Sequence, residues 1–299
     1  MVSHVAIIGL GLIGGSIALG LRSQGKSVTA FDTDERNLAL GMELGVIDRQ
    51  AASVEEAVKG ADLVVLAVPV LAMETVLRSF PEQLPHVITD VGSVKQPILD
   101  AFQSIFGSVP DQFVPGHPIA GSEQHGVVAA NGSLFEQHRV LLTPLSNTDP
   151  DALAAVETVW QSLGAEVSII DVAHHDLVLG KTSHLPHLLA YSLIDTLSSQ
   201  GDSLEIFDYA AGGLRDFSRI AASDPVMWGD IFLSNKQPLL KILEDFSRDL
   251  NALRESIETG DRTDLLERLT RSKAARDHFS QVLLERKKLV GHTETKQED

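Results

Sequence analysis

The chain has 299 residues, 43% hydrophobic and 22% charged, which is room for two ordinary globular domains with proper cores. Its 41 acids against 24 bases give a formal charge of −17, which argues against a nucleic-acid partner, because neutralising phosphates needs a basic face. With no cysteine there is no disulfide, thiolate metal ligand or thiol nucleophile, and the composition fits a reducing, cytoplasmic setting.

The first stretch, "MVSHVAIIGLGLIGG", is apolar but broken by glycines and has no basic lead. It reads as a buried strand and turn, not as a signal peptide. No run approaches the length of a membrane span. From there to residue 171, β-branched runs alternate with helix-like segments. Strands are expected at 4–9, 27–32, 62–69, 86–92, 112–116, 139–144 and 166–171. Several are apolar throughout, as strands covered on both faces are, and the helical segments between them imply a mostly parallel sheet.

"GLGLIGG" (9–15) follows the first strand and opens a helix. Gly9, Gly11 and Gly14 form G-x-G-x-x-G: a tight turn, close approach of the backbone to a pyrophosphate, and close packing of the helix on the sheet. Leu12 and Ile13 begin that helix, whose free N–H groups and dipole favour phosphate. Val68 and Pro69, at the end of the third strand, are placed beside the same nucleotide. Asp32 falls 18 residues after Gly14, at the end of the second strand. A carboxylate there accepts from a ribose 2′-hydroxyl and repels a 2′-phosphate, so NAD is expected over NADP.

"TDVGSVK" (89–95) ends the strand at 86–92 and opens another helix at the carboxyl edge of the sheet, where ligands of open α/β sheets sit. Ser93 is there either as a helix cap or as a site residue. "PGHPIAGSEQHG" (115–126), with two prolines and three glycines, reads as a stiff loop carrying His117, Ser122, Glu123 and His125. After Asp171 no strand is expected. Helical periodicities run through roughly 174–200, 204–221, 225–257 and 262–287. "KTSHLPHLLAYSL" (181–193) sets His184 and His187 about one turn apart, with Pro186 kinking the helix. "GGLRDFSRIAASDPVMW" (212–228) brings Gly212, Arg215, Asp216 and Arg219 before an Asp224-Pro225 boundary. The expected division is 1–172 for an α/β domain, 173–287 for a helical domain and 288–299 for a disordered polar tail. Apolar helices this long in so short a domain need a partner surface, and a homodimer supplies one.

The order and spacing of five motifs resemble those of the prephenate dehydrogenase family, which includes arogenate and cyclohexadienyl dehydrogenases of tyrosine biosynthesis. The motifs are the glycine fingerprint, "DVGSVK", "GHPIAGSE", "SHLPH" and "FSRIAASDP", and the resemblance runs from residue 4 to about 285. It implies a Rossmann-type domain followed by an all-helical dimerisation domain, and an oxidative decarboxylation with NAD. His117 would accept the proton of the ring 4-hydroxyl, and Ser93 would bond both His117 and that hydroxyl. Arg219 would pair with the ring carboxylate. His187 would stand near the substrate side chain and, when neutral, donate to a keto oxygen. His184 would lie nearby or pack the helix kink. Ser122 and Gly212 fall in the substrate region, and Glu123 and Asp216 would gate it with Arg219. Lys95 reads equally as catalytic support or as a helix base. No metal is implied, and prephenate is expected ahead of arogenate. A 3-hydroxyacid-type dehydrogenase shares this layout but uses a catalytic lysine from its helical domain, where Lys181 is the one close lysine here. A nucleotide-sensing binding module would not need His117, Ser93 and Arg219 together.

Overall fold

The computed structural model describes residues 2–84, 87–121, 124–199 and 204–294, with side chains as far as 284. The apolar runs of the first half become the strands of a six-stranded parallel sheet: β1 (His4–Ile8), β2 (Ser27–Phe31), β3 (Arg49–Gln50), β4 (Leu63–Leu66), β5 (Ile88–Asp90) and β6 (Phe113–Val114), in the order β3-β2-β1-β4-β5-β6. The order reverses between β1 and β4, which opens a crevice at their carboxyl ends.

Continuous apolar runs are needed because both faces are covered. In β1, Val5 and Ile7 join one core with Ile17 and Leu21 of α1 (Leu12–Ser23) and Val156 and Trp160 of α6 (Pro150–Ser162). Ala6 and Ile8 join the other, with Leu77 of α4 (Met73–Arg78) and Phe102 of α5 (Gln96–Phe106). Two short helices, α2 (Glu35–Glu43) and α3 (Val54–Val58), complete the crossovers.

Several expectations change. The strand expected at 112–116 divides at Pro115. Val114 ends β6, and Gly116–Pro118 starts β7, which pairs antiparallel with β8 (Arg139–Leu142). With β9 (Glu166–Ile169), parallel to β8, these form a separate three-stranded sheet, order β7-β8-β9. The helix expected at 174–200 is α7 (Val172–Leu179), a π-turn (Gly180–His184) and α8 (Leu185–Ser198). Pro186 lacks an N–H and its ring crowds the carbonyl four residues back, and the wider turn relieves both.

The segment 204–221 is likewise broken: a 3₁₀ stretch (Leu204–Tyr209), α9 (Gly212–Ser218) and a second 3₁₀ stretch (Arg219–Ala222). Two consecutive glycines at 212–213 hold no long helix together. Finally, 225–257 is α10 (Pro225–Ser234) and α11 (Lys236–Thr259), parted at Asn235.

Internal contacts group Met1–Leu239 in one compact unit and Leu240–Asp299 in another, so the first helices after Asp171 pack with the sheet domain. In the second unit the chain turns at Gly260 (φ +68°), and Asp261 caps α12 (Arg262–Glu294) by accepting from the N–H of Thr263 and Asp264, both at 3.1 Å. That helix runs seven residues past its expected end, into the stretch read as tail. Polarity alone does not stop a helix that Lys and Leu continue to favour. Residues 295–299 lie outside the described residues. Among the described residues no helix is long and apolar enough to cross a membrane.

Candidate active site

A cleft of about 480 Å³ opens at the carboxyl ends of β1, β4 and β5. Gly11, Leu12, Ile13, Val68 and Pro69 line one part of it; Ser93, His117 and His184 line another. The glycine turn is built for a ligand that approaches the backbone. At Gly9 (φ +98°) a Cβ would lie 2.4 Å from the Ala67 carbonyl oxygen, and at Gly14 a Cβ would lie 2.0 Å from the Gly9 carbonyl oxygen. At Gly11 a Cβ would meet nothing within 4 Å, so this one glycine keeps space clear on the cleft wall. Gly11 is also the cap position of α1 and has no side chain to satisfy the first N–H groups. A pyrophosphate supplies what these donors lack, so the cradle fits a dinucleotide. Asp32 anchors the neighbouring turn, accepting from Leu10 N–H (2.6 Å) and Asp34 N–H (2.8 Å). Its oxygens keep further lone pairs for a ribose hydroxyl.

His117 lies on strand β7, not on a loop. β7 is a three-residue edge strand, where a bracketing proline is tolerated. Beyond the paired residues, Thr143 N–H donates to the Pro115 carbonyl (2.9 Å) and Ile119 N–H to the Arg139 carbonyl (2.7 Å). Beneath it Lys95 is fully buried, its ammonium on the Asp90 carboxylate and the Gly116 carbonyl. Asp90 also accepts from Gly92 N–H (2.8 Å) and Gly116 N–H (3.1 Å). Lys95 is thus neither a surface base nor a cleft group: it clamps the end of β5 to the residue before His117. Burial lowers its pKa, against the opposing pull of Asp90.

His117 Nδ1 lies 2.9 Å from His175 Nε2, and His175 Nδ1 lies 2.8 Å from Asp176 Oδ1. The Asp176 carboxylate also accepts from Lys95 N–H (2.9 Å) and Gln96 N–H (3.0 Å) at the start of α5. Burial opposes its ionised form, but the hydrogen bonds from His175 and the two backbone groups outweigh that and hold its pKa below the ordinary value. His117 is pushed well below 6.5, first by burial and then by the electrostatic cost of a further positive charge beside His175, Lys95 and His184, so its ring is neutral. His184 falls to about 4, chiefly through burial. Its Nδ1 lies 2.9 Å from the Asn235 amide nitrogen, which also donates to the Asp176 carbonyl (2.8 Å).

Ser93 stands two residues before the cap position of α5, Lys95, so it is a cleft residue and not the helix cap. The expected Ser93–His117 hydrogen bond is not formed in this structure: His117 Nδ1 is engaged by His175, and Nε2 has no bond to Ser93. His187 stacks on Trp228, ring centroids 3.6 Å apart, and bonds through Nδ1 to the Ser183 carbonyl (2.8 Å). Its N–H is therefore spent, and the neutral ring offers an acceptor at Nε2 where a donor to a keto oxygen was expected. Burial lowers its pKa, the Ser183 bond opposes this, and the nearby Arg219 charge adds to the lowering.

Gly212, Asp216 and Arg219 are exposed and do not line the cleft, although the charge of Arg219 reaches His187. Asp216 pairs with Arg215 at 3.1 Å. Ser122 and Glu123 lie outside the described residues. The sequence reading missed His175, Asp176 and Asn235, and also Asp224 and Asp230, which line the cleft. "HHD" at 174–176 was the one available signal for the first two. Among the described residues no three His, Asp or Glu side chains converge as a metal site.

Residues 17–169 match the family model described as prephenate dehydrogenase, nucleotide-binding domain, and residues 171–271 match prephenate dehydrogenase, dimerization domain. The glycine turn precedes the first match, so its reading rests on geometry. A cyclohexadienyl dehydrogenase of Zymomonas mobilis is 40% identical over 282 residues, spanning 91% of this chain and 94% of its own. A prephenate dehydrogenase of Bacillus subtilis is 37% identical, spanning 93% and 76%. Among solved structures, prephenate dehydrogenase from Aquifex aeolicus in complex with hydroxyphenyl propionate and NAD+ is similar with a TM-score of 0.84 at 36% identity, covering 93% of this chain and 99% of that one. Synechocystis arogenate dehydrogenase gives 0.75 at 27% identity, covering 92% and 99%.

Proposed function

This chain belongs to the prephenate dehydrogenase family, and from that premise we propose that it catalyses the NAD-dependent oxidative decarboxylation of prephenate to 4-hydroxyphenylpyruvate. The observation that carries the reading is one cleft with the open glycine turn on one wall and a buried, neutral histidine on the other. NAD+, when bound, supplies the hydride acceptor. Gly11 and the first N–H groups of α1 would hold its pyrophosphate, and Asp32 a ribose hydroxyl.

His117 takes the 4-hydroxyl proton at Nε2 while C4 loses hydride and the bond from C1 to its carboxylate breaks. It returns that proton to the phenol oxygen once the ring is aromatic, so CO2 is the one group that departs. Arg219 does not line the cleft, but its charge reaches His187, and on this reading it would offset the repulsion between a substrate with two carboxylates and a chain of charge −17. A homodimer through the helical half is part of the same reading. It is supported by the dimerization-domain match and by the exposure of Leu250, Ile257, Leu269 and Phe279 in the second unit. The absence of cysteine suits a cytoplasmic enzyme.

Mixing the protein with NAD and prephenate should produce the NADH absorbance band; no NADH from prephenate or arogenate would overturn the reading. A second reading, use of arogenate, is favoured by the acceptor at His187 Nε2 and by Asp224 and Asp230 on the cleft wall, which suit an ammonium. Prephenate is placed first, and kcat/KM on both substrates at saturating NAD decides the order.

A further inference from the structure

We propose that Asp176 is a positioning residue that fixes where the proton sits on two cleft histidines, setting His117 as an acceptor and His184 as a donor. The hydrogen bonds run outward from groups whose roles have no freedom. The Asp176 carboxylate only accepts, so His175 Nδ1 must carry the proton between them. Where that is the one proton on the His175 ring, Nε2 keeps a lone pair, and the hydrogen of its contact with His117 comes from His117 Nδ1. That leaves His117 Nε2 unprotonated, and this is the ring nitrogen not engaged by His175. On the other side, the backbone carbonyl of Asp176 also only accepts. It fixes the nitrogen of the Asn235 amide toward itself, and that nitrogen's second hydrogen points to His184 Nδ1. His184 Nδ1 is then the acceptor, and its proton resides on Nε2.

Both histidines line the cleft and both are buried, so water does not average their tautomers. The side chain of one residue sets the first and its main chain sets the second. The assignment of His117 as the proton acceptor belongs to the functional reading above, on which this inference rests. The proton order does not depend on any substrate.

The test is a two-bond proton–nitrogen spectrum of protein labelled with ¹⁵N at its 11 histidines, at a pH near 8, with the two signals assigned by His117→Asn and His184→Asn. We expect opposite tautomers in one sample: Nδ1–H at His117 and Nε2–H at His184. Nε2–H at His117, or Nδ1–H at His184, overturns the inference, and neither result needs turnover. Loss of NADH formation with the expected tautomers present would overturn the functional reading alone. As a kinetic arm, His175→Leu should lower kcat by at least about tenfold, as misplaced catalytic protons do, with KM for NAD unchanged. His175→Gln, which keeps one donor and one acceptor on the same arm, should restore most of it and the His117 tautomer. A His175→Leu protein with full kcat also overturns the inference.

Discussion

His117 is the residue on which the chemistry turns, and its neutrality is a product of burial beside Lys95, His175 and His184. His117→Asn should lower kcat by about 10²–10⁴-fold with a smaller change in KM, since its hydrogen bond strengthens only as the 4-hydroxyl becomes a carbonyl. Because its pKa lies well below 6.5, wild-type kcat should stay level as pH falls through 6.5 and decline only at lower pH. A decline centred at 6.5 would contradict the burial. Arg219→Ala should raise KM for prephenate by about 10–150-fold, the span of a charge-assisted hydrogen bond, and leave NAD affinity alone. Unchanged KM would return Arg219 to the exposed surface it occupies. At this scale the sequence was informative where chemistry and backbone restriction coincide, as in His117 between glycine and proline. It was silent on His175, which meets His117 across 58 residues, and on Asn235, 59 residues from Asp176. Neither partnership leaves a mark on local periodicity.

The glycine turn makes a sharp distinction between two substitutions of the same size. Gly14→Ala would drive a methyl against the Gly9 carbonyl, so α1 must shift off the sheet; we expect a loss of about 1–3 kcal/mol in stability together with nucleotide affinity. Gly11→Ala meets nothing and should keep the wild-type Tm, yet its methyl stands where a pyrophosphate would lie, so NAD titration should show much weaker binding. Normal NAD binding by Gly11→Ala would mean that the nucleotide lies elsewhere. Elements with strong periodicity were legible, among them β1, β2, β4 and α1. The failures have local causes that periodicity does not register. β3 is two polar residues long, β7 follows a proline that parts two sheets, and α10 and α11 are separated by one buried asparagine.

Across the whole molecule, buried neutral histidines tie stability to pH. His184 binds its proton at about 4 in the folded chain and near 6.5 when unfolded. Above 6.5 neither state is protonated and the group is neutral in its effect. As pH falls below 6.5 the unfolded chain gains protons that the folded one refuses, so stability declines down to about pH 4. His184 alone contributes roughly 3 kcal/mol over that window, and His117 acts in the same direction. Urea denaturation at pH 7 and pH 4.5 should show the loss, and His184→Asn should reduce its slope; equal midpoints at the two pH values would show that these rings are open to solvent.

The Lys95 clamp has a consequence for chemistry performed on the protein from outside. An amine held on Asp90 and Gly116 with no surface exposed cannot meet an acylating reagent while β7 is seated against β5. Its acetylation must wait for a transient separation of those strands. The lag of Lys95 behind exposed amines, followed by mass spectrometry, then measures how often the histidine-bearing strand lifts. A ligand that braces the cleft should lengthen that lag without touching the lysine at all.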